Sequence, residues 1–299
     1  MAPTITIAER IPLSAVVLGG HSTSCSLAYR QCFDPAVPLN TERVRGARRP
    51  SCPHFAPLEE ASLPEVTDPP GPSGNRLLDA LPRAEYERLS PHMKPVSLAF
   101  KHILYDLAVP IPYVYFPTSS AVSLLIVMDD GMSFEMTMTG NEGMVGLPVF
   151  LGAEATHGRA IVQIAGAALR MPATAFRREV TTGSPLHGLL HRYTEALMVS
   201  MAQTAACNRL HSIDERCSCQ LLRAHDYTRA DTFSLTHESL ARTLGVRRAT
   251  VTVAAGLLQR AGLIRYRRGM ITILDRPRLE ERACECYRVV RAEYDHVFG

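Results

Sequence analysis

The stretch Leu235-Thr-His-Glu-Ser-Leu-Ala-Arg-Thr-Leu-Gly-Val-Arg-Arg-Ala-Thr-Val-Thr-Val253 admits few folds. Thr236 can cap a short helix whose apolar face is Leu240, Ala241 and Leu244, and Gly245 supplies a tight turn at its end. Val246, Val251, Ala254, Ala255 and Leu258 then give a second helix its buried stripe. Small Ala241, a glycine four positions later and an apolar residue six after that let two helices cross closely; bulk at either of the first two sites would push them apart. A helix-turn-helix is therefore expected. Gly262-Leu-Ile264, the basic residues Arg265, Arg267 and Arg268, a turn at Gly269 and the run Met270 to Leu274 follow it as a β-hairpin, the wing of a winged helix.

Charge decides what this unit is for. The 299-residue chain has a formal net charge of only +3. Between Ser234 and Leu274, however, seven Arg (242, 247, 248, 260, 265, 267, 268) face the single acid Glu238, a local +6, and the remainder sums to −3. Cations at the start of the second helix and in the wing stand at the two points that meet a duplex. The expected partner is double-stranded DNA, held by Thr236, His237, Arg247, Arg248, Ala249, Thr250, Thr252 and Val253 of the helix pair and by Arg265, Arg267 and Arg268 of the wing. The competing reading is a small-molecule-binding protein whose winged helix contacts another protein and whose charge is a solvated face. A salt-dependent affinity for duplex separates the two.

Upstream the texture changes twice. Residues 1–74 hold 11 of the 21 prolines and six Arg against seven Asp plus Glu, without sustained periodicity; such a segment buries too little apolar surface to offset its ordering entropy and is expected to be disordered. From Asn75, Leu77, Leu78, Leu81, Tyr86 and Leu89 suit one short amphipathic helix. Val96 to Phe100, Tyr113 to Phe116, Val122 to Met128, Ser133 to Met138 and Ala160 to Ile164 are then short β-branched or aromatic runs separated by turn residues. They predict an antiparallel β-roll, jelly-roll-like, over 75–183.

From Pro185 the period becomes helical. Leu186, Leu190, Tyr193, Leu197, Met201, Thr204 and Asn208 step by three and four along one seam of a helix spanning 184–211. A seam of that length suits a partner helix, so a homodimer is expected; the alternative is a helix packed on its own roll. Ser212-Ile-Asp-Glu215 fits a capping box that opens the winged-helix domain, 212–299. Leu279, Ala283, Tyr287, Val290, Tyr294 and Phe298 predict one final amphipathic helix. The fold class is α+β.

Other classes are excluded or unsupported. The apolar stretches Ile11 to Gly20 and Ala121 to Met128 fall short of the roughly 18–20 residues that a spanning helix needs. Glu9 and Arg10 do not make the positive start of a signal peptide, so a cytoplasmic protein is expected. Eight cysteines, at 25, 32, 52, 207, 217, 219, 284 and 286, match no secreted disulfide framework or zinc knuckle. Within a helix the two members of Cys217/Cys219 or Cys284/Cys286 point about 200° apart and cannot close on one ion. A metal or redox role would need one member of each pair to meet across elements. His187 and His191 share a helix face without a third ligand nearby. No metal, cofactor or enzymatic constellation is expected.

On these motifs the chain resembles the Crp/Fnr family of bacterial transcription regulators over about Asn75 to Leu279. The resemblance rests on Leu235-Thr236, Leu240-Ala241, Leu244-Gly245, Arg248, Thr250-Val251 and Gly262-Leu263-Ile264. Tyr113-Val-Tyr-Phe-Pro117 and Gly143-Met-Val-Gly-Leu-Pro-Val-Phe-Leu-Gly152 add to it. It implies a cyclic-nucleotide-binding-like roll, a dimerisation helix, a DNA-binding winged helix, RNA polymerase as a further partner and a small-molecule effector, for which Gly146 and Arg159 are the candidate residues.

Three departures limit what carries over. Where cyclic-AMP-binding relatives have Gly-Glu and Arg-Ser or Arg-Thr, this chain has Gly146-Leu147 and Arg159-Ala160. Leu147 cannot accept a ribose hydroxyl and Ala160 cannot donate to phosphate, so cyclic AMP is not the expected effector. The roll lacks the cysteine of the family's iron–sulfur variant. At the reading positions stand Arg248, Ala249 and Val253, which suit a guanine contact flanked by thymine methyl groups and an atypical half-site.

Overall fold

The computed structural model describes residues 73–298 except Asp130 and Met132. The Pro-rich extension expected to be disordered lies, but for its last two residues, outside the described residues. The first helical region is split: α1 (Arg76–Asp79) and α2 (Arg83–Leu89) meet at Pro82, which has no N–H to continue a helix and opens the second one. Asn75 anchors the entry. Its side-chain oxygen caps α1, while its amide donates to the carbonyls of Pro117 (2.8 Å) and Gly143 (2.9 Å) inside the roll.

The roll is built from β1 (Lys94–Leu98), β2 (Ile103–Tyr105), β3 (Tyr113–Pro117), β4 (Ala121–Val127), β5 (Ser133–Thr139), β6 (Gly158–Ile164) and β7 (Gly166–Pro172). They form two antiparallel sheets, β1-β7-β3 and β2-β6-β4-β5. Between β5 and β6 lies α3 (Leu147–Phe150), and α4 (Ala173–Glu179) follows β7. Val114, Phe116, Val122, Val162 and Met171 close the core between the sheets.

A 26-residue helix, α5 (Pro185–Leu210), leaves the roll, capped by Ser184, whose Oγ accepts from the His187 N–H. The seam expected to face a partner is turned inward. Leu186, Leu190, Tyr193 and Leu197 are buried in the core of their own chain, Met201 is half-buried against it, and Tyr193 donates to the Met144 carbonyl at 3.2 Å. Thr204 Oγ1 returns a hydrogen bond to the Ser200 carbonyl of its own helix, and Asn208 accepts from Arg216. The periodicity marked an apolar face correctly, but the roll and the last helix of the chain cover it.

The winged helix comprises α6 (Ile213–Thr228), β8 (Thr232–Ser234), α7 (His237–Leu244), α8 (Arg248–Arg260), β9 (Ile264–Arg267) and β10 (Met270–Ile273), with its three strands in the order β8-β10-β9. The Ser212/Glu215 capping box opens α6. Two helices follow where one was expected: α9 (Arg276–Arg282) and α10 (Cys286–Phe298), broken at Ala283–Glu285. The domain boundary is not respected by α10. Val290, Tyr294 and Val297 join the core of the roll, and the Tyr294 and Tyr193 rings lie 6.1 Å apart.

The roll and the winged helix meet through a buried polar seam. Glu135 on β5 accepts from Ser123 (2.6 Å) and from Thr243 of α7 (2.9 Å). Arg223 on α6 donates to Ser200 of α5 at 2.6 Å, Ser200 pairs with Thr137 of β5 at 3.0 Å, and Tyr227 donates to the Met138 carbonyl at 3.1 Å. Ala121, Met138 and Ile164 of the roll pack into the apolar core of the winged helix around these bonds.

Candidate nucleic-acid interface

Local chemistry sets the crossing of α7 and α8. Thr236 caps α7 by accepting the Ser239 N–H at 3.1 Å. Gly245 ends it in the left-handed region (φ +63°), which a side chain would disfavour, and the Val246 N–H returns to the Ala241 carbonyl at 3.0 Å. Val251, Ala254, Ala255 and Leu258 seat α8 against α7 and α6.

The opposite face of α8 is open. Arg247, Arg248, Ala249, Thr250, Thr252 and Val253 are exposed, Val253 to 63%. Arg247, at the N-cap, makes no side-chain cap, and the Thr250 N–H closes back on the Arg247 carbonyl at 2.9 Å, which leaves the Arg248 and Ala249 N–H groups for another acceptor. In the wing, Arg267 pairs with Met270 across a two-residue turn, Arg268-Gly269, with both residues at positive φ (+50° and +82°). That is the turn whose twist matches a tight antiparallel hairpin. Arg265 and Arg267 alternate onto one face of β9, both exposed, and Arg268 stands at the tip. Among the described residues, none of Arg247, Arg248, Arg265, Arg267 and Arg268 lies within 4.0 Å of a carboxylate.

His237 departs from its expected part in direct contact. Its side chain is buried, stacked on Tyr266 of the wing (ring centroids 4.0 Å apart, 17° between planes), with Nδ1 3.0 Å from the Thr252 hydroxyl. That hydroxyl donates to the Arg248 carbonyl at 3.0 Å, which makes Nδ1 the donor to Thr252. Burial, and then the Arg248 charge, push the imidazole below its usual range, so it is neutral at pH 7. His237 positions the wing against α8 instead of touching a ligand. Thr252 is correspondingly engaged, and its exposed atoms offer mainly a methyl group.

Sequence reasoning missed two wing supports. Tyr266 carries the stack, and its N–H donates to the Gln259 side chain of α8 at 2.7 Å. Tyr266 was visible as the inward position between two outward arginines; nothing local marks Gln259.

The candidate effector residues lie elsewhere. Arg159 is held by Asp106 in two parallel 2.9 Å hydrogen bonds, and this bidentate pair keeps the Asp106 carboxyl below its usual range. Gly146 has φ +104°, and a Cβ there would sit 3.1 Å from Val114, which accounts for the glycine without a ligand.

A sheet roll, a long connecting helix and a winged helix with an unpaired basic face are thus joined in one chain. Residues 215–282 match the Crp-like helix-turn-helix domain. The structure is similar to FixK2 of Bradyrhizobium japonicum at 16% identity, over 64% of this chain and 98% of that one, with a TM-score of 0.55. Two transcriptional regulators of Thermus thermophilus, TTHB099 of the CRP family and TTHA1359 of the CRP/FNR family, are similar as well. The first has 18% identity over 64% and 96% of the two chains with a TM-score of 0.53, and the second has 22% over 64% and 98% with 0.51. No curated protein matches the sequence. The fold is thus similar to that of CRP/FNR-family structures, and the helix-turn-helix region matches the Crp-like domain. No helix among the described residues is long and apolar enough to cross a membrane.

Proposed function

We propose that this protein is a cytoplasmic, homodimeric, sequence-specific DNA-binding transcription regulator that acts on RNA polymerase and answers to an effector other than cyclic AMP. The observation that carries the DNA-binding reading is the set of five arginines without carboxylate partners at the start of α8 and on the wing, because a cation left unpaired on a rigid element is available for phosphate or a base edge. Arg248 would read a guanine in the major groove, while Arg265, Arg267 and Arg268 hold the flanking phosphates. The Arg159–Asp106 pair and Leu147 argue against a cyclic-AMP cassette.

With the inner seam of α5 occupied, the surface offered to a second copy is the outer stripe of Met198, Ala202 and Ala205, of which Met198 is 66% exposed. Two-fold pairing there would set half-sites about one helical turn apart. Fluorescence anisotropy on duplexes across a salt series tests the proposal. A steep loss of affinity with salt, reduced when the wing arginines are replaced by Ala, is expected. A flat salt response with equal binding by the wing variant overturns it in favour of a protein-interaction module.

A further inference from the structure

Three thiols and an imidazole converge where α5 ends and α10 begins. Cys207 lies in the last turn of α5, His211 is the residue that closes that helix, Cys284 sits in the break after α9, and Cys286 is the first residue of α10. One ligand atom from each lies within 4.8 Å of all the others. The Cys207 and Cys284 sulfurs are 3.5 Å apart, and the Cys286 sulfur is 3.5 Å from His211 Nδ1. At metal–ligand distances of about 2.3 Å for sulfur and 2.0 Å for nitrogen, the edges of a tetrahedron run to roughly 3.3–3.8 Å. Two of the separations in the cluster are already edges of that size.

We propose that Cys207, His211, Cys284 and Cys286 form a structural zinc site, with all four coordination positions filled by the protein. Cys284 and Cys286 converge because helix does not begin until Cys286, which removes the helical geometry that would point them apart. Cys217 and Cys219, both within α6, do diverge: Cys217 is buried away from the cluster, and Cys219 alone approaches it.

The surroundings are those a bound ion requires. His211 Nε2 is 3.2 Å from the Glu285 carboxylate, so the Nε2–H donates to that carboxylate and the Nδ1 lone pair is aimed into the cluster. The Cys219 sulfur lies 3.2 Å from that of Cys284, placed to donate to it as a thiolate. All five described cysteines are free, and three thiolates with an imidazole select zinc over magnesium or calcium. Binding releases the three thiol protons to solvent and involves no electron transfer. The ion would staple the foot of α5 to the start of α10 across 77 residues of sequence.

The test uses full-length protein purified without chelator. Elemental analysis should find about one zinc per chain, and chelator-stripped protein titrated with Co2+ should develop thiolate-to-cobalt charge transfer with the intense visible bands of tetrahedral geometry, bleached by Zn2+. Cys284→Ser should lose the ion and Cys219→Ser should keep it. Glu285→Gln, at a side chain 61% exposed and so without cost to the fold, should lower zinc affinity about tenfold. This arm and the wild-type cobalt spectrum decide the matter even where Cys284→Ser does not fold. A protein without zinc whose cobalt spectrum lacks thiolate charge transfer overturns the proposal. Iron in a coloured cluster, or a Cys284 disulfide found by thiol counting, does so too.

Discussion

Thr243, in the first helix of the helix-turn-helix, donates a 2.9 Å hydrogen bond to the buried carboxylate of Glu135 in the roll. The roll and the winged helix are thus joined by a polar contact out of reach of water. Burial raises the Glu135 pKa, and the Ser123 and Thr243 donors oppose that rise. Thr243→Val, which keeps the shape and removes the donor, should cost about 1–3 kcal/mol in urea denaturation. The loss should be larger at pH 8 than at pH 5, because the variant leaves the charged form less well solvated.

Glu142 makes stability fall with pH. Desolvation pushes its carboxyl from 4.5 up to about 7, against the Gly140 N–H bonds at 3.1 Å to each oxygen. A raised pKa means that the folded state holds the proton longer than the unfolded one, so its stabilisation is complete below about 4.5 and is lost as pH rises to about 7. Thermal unfolding should show the wild type less stable at pH 8 than at pH 5. Glu142→Gln, neutral throughout, should flatten that difference.

Arg248 is expected to read and not merely attract. Arg248→Ala should cost about 1–3 kcal/mol at one guanine of the preferred site and level the preference there in a binding-selection experiment. Unchanged specificity would remove Arg248 from the reading position.

His237→Ala should weaken DNA binding without changing its salt slope, since it removes a neutral wedge beneath the wing and no phosphate contact. Replacing Arg267 should instead lower the slope by about one. Anisotropy titrations at several salt concentrations distinguish the two patterns.

Met198→Lys places a charge on the outer stripe of α5 without touching the core. Light scattering should show a shift from dimer toward monomer with the circular dichroism unchanged. A mass equal to the wild type's would move the dimer contact elsewhere.

The helix-turn-helix was legible because its constraint is local and steric: Ala241, Gly245 and Val251 fix a crossing whatever surrounds them. Most of the roll was legible from its turns, but β2 and β7 were not: Ile103–Tyr105 is only three residues long, and Gly166–Pro172 lacks alternation and is defined by pairing with β1 and β3 on either side. The seam of α5 was found and assigned to the wrong cover. Periodicity says that a face is apolar, whereas what lies on it here includes a helix that returns from about ninety residues downstream, well beyond any local window. The cysteine cluster was hidden for the same reason, compounded by a helix start that placed Cys284 and Cys286 differently from Cys217 and Cys219.

The return of α10 also bears on the order of assembly. A nascent chain can form the sheets of the roll early, yet their core lacks Val290, Tyr294 and Val297 until nearly the whole polypeptide has been synthesised. Until then Tyr193 lacks the Tyr294 ring that packs beside it. The slow step of biogenesis should be this late docking, a contact of high sequence separation. A chain cut short before α10 would emerge with both cores unfinished, the roll without Val290, Tyr294 and Val297 and the winged helix without Cys286 and Tyr287.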